Sequence, residues 1–130
     1  MTKREAVAII ERNYRCLEKS LIYDLHERSK FSKKRFWEYY DSVICLARAA
    51  ENGGGDMDAA MKITWIYQRV LKEFIYHFDR NDLSALKKFP KDYNGYIERL
   101  DGAMDAYFRG VFTDDRLFDL QRQTGGTNEF

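Results

Sequence analysis

Apolar residues recur in steps of three and four along most of this chain, and no stretch reads as a strand. That spacing brings each apolar side chain back to one face of an α-helix, so the fold must be built from helices packed stripe to stripe. Thr2 and Glu5 have the spacing of a capping box, in which hydroxyl and carboxylate each satisfy an orphan N–H. Val7, Ile10, Tyr14, Leu17, Leu21 and Leu25 continue as one stripe and predict a single long helix to about Arg28. Ser32 offers the N-cap of a second helix. Its buried face would be Phe36, Tyr40, Val43, Ala47 and Ala50, with Trp37 and Ile44 alongside.

Asn52-Gly53-Gly54-Gly55 ends that helix, because three glycines make continued helix costly. Asp56 caps a third helix with Met57, Ala60, Met61, Thr64, Tyr67, Leu71, Phe74, Ile75 and Phe78 facing inward. Asn81-Asp82 breaks the chain again, and a short helical turn from Leu83 to Lys88 precedes the only proline, Pro90. A last long helix starts near Asp92 or Tyr93 and carries Ile97, Leu100, Met104, Tyr107 and Val111, with Phe108 beside them. Thr113-Asp114-Asp115 caps a brief segment through Leu117, Phe118 and Leu120. The expected fold is all-α, a compact bundle of four main helices plus one or two short ones, spanning residues 1–122 with a flexible tail at 123–130.

Charge patterning narrows the function. The chain is close to neutral, with 22 basic and 21 acidic residues, yet Arg28-Ser29-Lys30-Phe31-Ser32-Lys33-Lys34-Arg35-Phe36-Trp37 holds five cations and no acid. The positive charge is therefore local. It falls where one helix stops and the next starts, so free N–H groups after Ser32 add fixed partial charge suited to phosphate oxygens. An acidic protein surface would suit it equally. On the last helix Glu98, Asp101 and Asp105 line one exposed face and read as a protein interface.

Other chemistry finds little support. His26 and His77 stand apart, and Glu73, His77 and Asp79 lack the second histidine motif of a metal site. Asp56 and Asp58 lack the further acids of a calcium loop, and the glycines have no following Lys-Ser or Lys-Thr to hold a phosphate. Arg69 and His77 are separated by seven residues, one more than the Arg…His motif of helical ribonucleases allows. Cys16 and Cys45 are far apart and read as reduced packing residues. The expectation is a protein without enzymatic activity, metal or cofactor. The start of the chain leads into an amphipathic pattern instead of an apolar block, and the longest apolar run is Val43–Ala47, so a cytoplasmic location is expected.

Three segments resemble the small helical subunit of type III CRISPR effector complexes, the III-A form most closely. Phe31-Ser32-Lys33-Lys34-Arg35-Phe36-Trp37, continuing through Tyr39-Tyr40-Asp41-Ser42-Val43, is similar to that family's Ser-x-x-Arg helix start. Lys62-Ile63-Thr64-Trp65-Ile66-Tyr67-Gln68-Arg69 is similar to its Lys…Tyr…Arg stretch. Ala103-Met104-Asp105-Ala106-Tyr107-Phe108-Arg109 is similar to its closing Ala-x-x-Ala-Tyr-x-Lys helix. The chain departs from the family at Gly102, where a glutamate is usual, and at Gln68-Arg69, where a glycine–arginine pair is usual. The resemblance implies a non-catalytic subunit whose copies stack on one another, brace a filament of guide-RNA-binding subunits and touch the guide–target RNA backbone. It carries over Arg35 as a contact, with Arg69 and Arg109 as further ones. Lys30, Lys33 and Lys34 are added from charge placement alone. A cationic face of one copy would then meet Glu98, Asp101 and Asp105 of the next.

A rival from another class is a small helical inhibitor or immunity protein that blocks a single toxin or effector protein. Aromatic residues dominate binding hot spots, and aromatics make up 15% of this chain. Tyr23, Tyr39, Tyr76, Tyr93 and Tyr96, flanked by the acidic helix face, would form that surface.

Overall fold

The computed structural model describes residues 1–50, 55–79, 81 and 85–112. They form α1 (Lys3–Tyr14), α2 (Leu21–Glu27), α3 (Lys33–Ala49), α4 (Met57–Phe78) and α5 (Tyr93–Arg109). The domain is all-α, and among the described residues the only β pairing is an isolated bridge between Lys30 and Lys87. The expected segment from Thr113 to Leu120, the tail, and Asn52-Gly53-Gly54 lie outside the described residues.

Three helix starts follow local chemistry. Thr2 Oγ1 accepts from Glu5 N–H at 3.1 Å while Glu5 Oε1 accepts from Thr2 N–H at 2.8 Å, completing the capping box. Ser32 Oγ accepts from Arg35 N–H, and Asp56 Oδ1 from Asp58 N–H, both at 3.2 Å. Tyr107 adds a tertiary clamp at the start of α4: its hydroxyl accepts from Asp56 N–H at 2.9 Å and donates to Asp56 O at 3.0 Å. Gly110, at φ 71°, closes α5 in the left-handed conformation that glycine adopts freely.

The single long first helix is not formed. The chain breaks after Tyr14, with Cys16 at φ 53° and Lys19 at φ 65°, both left-handed. Asn13 makes the break stable. Its fully buried amide donates to Ile9 O at 3.0 Å and accepts from Ile22 N–H at 3.1 Å, so one side chain links the end of α1 to the first turn of α2. Ser20 Oγ takes the next orphan N–H, that of Tyr23. Ile10, Leu21 and Leu25 face the core as expected, whereas Val7 and Leu17, also expected inside, are exposed, and Ala6 and Ile9 are buried in addition.

α3 packs chiefly on α1 and α5, and α4 on α1, α5 and α2. The core holds Phe36, Tyr40, Val43 and Ala47 of α3 as expected, with Leu100 and Tyr107 of α5. On α4 the buried stripe is Ala59, Ile63, Ile66, Val70 and Phe74. Met57, Met61, Ile75 and Phe78 point outward, contrary to the expected face. Between α4 and α5, the described residues 85–88 are not helical. Lys87 joins the bridge and Lys88 is left-handed at φ 58°. No described helix is long and apolar enough to cross a membrane.

Candidate nucleic-acid interface

The cationic joint is built on a buried ring. Ser29, at φ 49°, turns the chain so that Phe31 enters the core with no exposed surface, against Phe36, Phe74 and Tyr96. Phe31 N–H donates to Lys87 O at 2.9 Å and Lys87 N–H donates to Ser29 O at 2.7 Å. Lys30 N–H donates to Asp24 O at 3.0 Å. The backbone of the joint is thus held on both sides.

This pairing brings together two basic segments from distant parts of the chain. On one side are Lys30, Lys33 and Lys34, the first two half-buried and the third exposed. On the other are Lys87, Lys88 and Lys91, all exposed. The sequence reading overlooked the second trio. The run Lys87-Lys88-Phe89-Pro90-Lys91 has three lysines and no acid, so the criterion that singled out the first segment would have found it too.

The arginines sit differently. Arg35, the residue carried over as the principal contact, is one-fifth exposed, and its Nη1 lies 3.2 Å from Glu38 Oε2 and 3.3 Å from Oε1. Arg12 also reaches Glu38, at 3.8 Å. Arg35 therefore faces the protein's own carboxylate and not open solvent as expected. Arg28 pairs with Asp24 at 3.4 Å. Arg69, on α4, lies 3.0 Å from the buried Glu73 carboxylate and 2.7 Å from His26 Nδ1. A guanidinium can only donate, so His26 Nδ1 accepts that bond. Arg109 is at the far end of α5 from Tyr93, about 24 Å at 1.5 Å per residue, and pairs loosely with Asp105 at 3.9 Å. Lys30, Lys33 and Lys34 stand together at the joint, Arg109 lies at the other end of α5, and Arg69 is engaged with Glu73 and His26.

Glu98 and Asp101 are exposed and Asp105 is half-buried. Burial first, then the charges of Asp101 and Glu98, raises the Tyr67 hydroxyl above its ordinary pKa. Of the five tyrosines assigned to the rival blocking surface, Tyr39 and Tyr96 are core residues, and Tyr23, Tyr76 and Tyr93 are half-buried.

Glu73 and His77 do not share a ligand. Glu73 faces α2, whereas His77 Nδ1 accepts from Leu86 N–H at 2.8 Å and its ring stacks on Phe89 at 3.9 Å. Among the described residues no group of three or more His, Cys, Asp or Glu side chains could hold a metal. Cys16 and Cys45 are free, and burial chiefly pushes the Cys16 thiol pKa up, which disfavours the reactive thiolate.

His77 ties the basic end to pH. Burial holds its pKa below the ordinary value of 6.5, and a protonated Nδ1 could not accept from Leu86. The unfolded chain takes up this proton first, so stability is complete above about pH 6.5 and falls as pH drops through the lowered folded value. The expected result is a lower urea midpoint at pH 5.5 than at pH 7.5, with part of the difference removed in His77→Asn, whose side-chain oxygen retains an acceptor. An unchanged pH dependence in that variant would show that His77 does not contribute.

No protein-family model matches the chain, and no curated protein or solved structure does so either.

Proposed function

We propose that this protein is a non-catalytic subunit of an RNA-guided assembly, similar to the small subunit of type III CRISPR complexes, that contacts the RNA backbone through its lysine-rich end. One observation carries the reading: the bridge at Lys30 and Lys87 unites two acid-free lysine segments on one backbone support. Six lysines then belong to one end of a chain whose net charge is only +1. Phosphate contacts of this kind position a nucleic acid without reading its bases. Arg35 pairs with Glu38 at 3.2 Å, and the proposed contact set is the two lysine segments, on the ground that one backbone bridge joins them. Glu98, Asp101 and Asp105 remain available for a neighbouring subunit or a stacked copy.

The test is fluorescence anisotropy with a labelled RNA duplex at 50 and 200 mM salt. The wild-type protein is expected to bind and to weaken steeply with salt. Lys87→Glu/Lys88→Glu/Lys91→Glu is expected to weaken binding at 50 mM by about a hundredfold or more, with the salt slope shallower by about 0.7–0.9 per lost phosphate contact. Helical content and the unfolding midpoint should change little, since all three side chains are exposed. Binding that survives the triple reversal would overturn the assignment of this end.

A further inference from the structure

Part of the α4 face expected to be buried is instead a second surface. Met57, Met61 and Trp65, at successive i, i+4 positions, point outward and are 82%, 46% and 37% exposed. Phe108 of α5 lies beside them, 40% exposed, and the four line one shallow groove with Ala60, Thr64 and Gln68. Thr64 Oγ1 donates to Ala60 O at 2.9 Å, so even its hydroxyl is satisfied within the helix and leaves the groove floor apolar. Isolated exposed apolar residues are ordinary, but a contiguous group rich in Met and aromatic side chains marks a contact surface.

The charge around the groove selects the occupant. On α5, Asp101 and Asp105 share a helix face with the groove residue Phe108 at i, i+4 and i+7, with Glu98 one turn before them, and Asp58 follows Met57 at the start of α4. Ion pairing leaves this border negative: Lys62 stands between two carboxylates, Asp58 at 2.8 Å and Glu11, and Arg109 meets Asp105 only at 3.9 Å, while Glu98 and Asp101 add two further acids. The chain's own residues 113–130 carry four carboxylates against two arginines, the wrong sign for this border. Shape adds a second constraint. Met57 to Gln68 spans about 16 Å between two helices, roughly three turns of a third. Neither α4 nor α5 offers an unpaired backbone edge there, so an extended peptide would gain no main-chain bonds, whereas a helix arrives with its own satisfied.

We infer that the α4–α5 groove is a docking site for a basic amphipathic helix of a partner protein, its bulky apolar face on Met57, Met61, Trp65 and Phe108 and its cations along Asp101 and Asp105. The site is separate from the lysine-rich end, and its probe carries no phosphate, so it stands or falls independently of RNA binding.

The test titrates the full chain with three synthetic 18-residue peptides: a Leu/Lys amphipathic helix, its Leu/Glu counterpart and a scrambled Leu/Lys sequence. The Leu/Lys helix is expected to blue-shift Trp65 fluorescence and to bind at least tenfold more tightly than either control. Met57→Ser/Met61→Ser, both at exposed positions, is expected to weaken it at least tenfold, and Asp101→Asn/Asp105→Asn severalfold. Equal binding of the three peptides, or binding indifferent to the methionine substitutions, would overturn the inference. Two results would assign the groove to another occupant and overturn it as well. One is a concentration-dependent dimer by sedimentation equilibrium that the methionine substitutions abolish. The other is tighter peptide binding in the full chain bearing Leu117→Ser/Phe118→Ser, which would mean its own C-terminal segment fills the site.

Discussion

Phe31→Ala is expected to destabilise the protein by about 3–5 kcal/mol, the range for truncating a fully buried aromatic ring. Nothing in its sequence position announces this, since Phe31 lies in the connector between α2 and α3, in the middle of the charged run. The ring has no exposed surface and sits between Phe36, Phe74 and Tyr96, with centroids 6.1, 5.8 and 5.1 Å away. It therefore joins three helices and also fixes the backbone that bridges to Lys87. A domain of this size has only about 5–15 kcal/mol of stability in total, so the loss should lower Tm by roughly 10–20 °C. Phe31→Leu, which keeps most of the volume, should cost much less. Urea unfolding followed by far-UV circular dichroism measures both. A change below about 1 kcal/mol for the alanine variant would mean the void collapses, and that the connector is not anchored by this ring.

The contrast between Phe31 and its neighbours shows what could be read from the residues. Thr2, Ser32 and Asp56 were legible as helix starts because a cap is a bond within three residues, and local sequence contains all of it. The break between α1 and α2 was not. It depends on Asn13 reaching Ile22, a contact between helices, and the left-handed positions fall on Cys16 and Lys19, neither of which is a customary turn residue. In α4 the spacing predicted a helix but chose the wrong face. Apolar residues occur almost all around it, so Met57, Met61 and Phe78 fit one stripe as well as Ile63, Ile66 and Val70 fit another. Ile63, Ile66 and Val70 occupy the core with Ala59 and Phe74, and the flexible methionines are left outside with Ile75. The charged run at Lys30–Arg35 was visible in one dimension. Its counterpart at Lys87–Lys91 acquires meaning only through the bridge, whereas the pairing of Arg35 with Glu38, three residues apart on a predicted helix, was as legible as the caps.

Arg69 separates a structural role from a binding one. Its guanidinium lies 3.0 Å from Glu73 Oε2, and the Glu73 side chain is only 4% exposed. His26 Nδ1 is 3.2 Å from the same oxygen and 2.7 Å from Arg69 Nη2, and one ring nitrogen cannot both accept from the guanidinium and donate to the carboxylate. Arg69→Met should therefore leave the buried Glu73 carboxylate at the α2–α4 contact with only the half-exposed His26 ring as a partner. Removing one partner of a buried pair typically costs 3–5 kcal/mol, and because Arg69 itself remains about a quarter exposed, the expected loss is nearer 2–3 kcal/mol. Adding Glu73→Leu removes that carboxylate, and the double variant should recover most of the stability, since an apolar pair of similar volume can replace a buried ion pair at little cost. If instead Arg69→Met unfolds at the wild-type urea concentration but binds the RNA duplex more weakly, Arg69 belongs to the nucleic-acid surface after all. If the double variant is no more stable than the single one, the methionine has failed to pack. The ion pair would then owe its value to geometry and not to charge. Measured together, stability and anisotropy distinguish a residue that holds α2 against α4 from one that reaches outward to a phosphate.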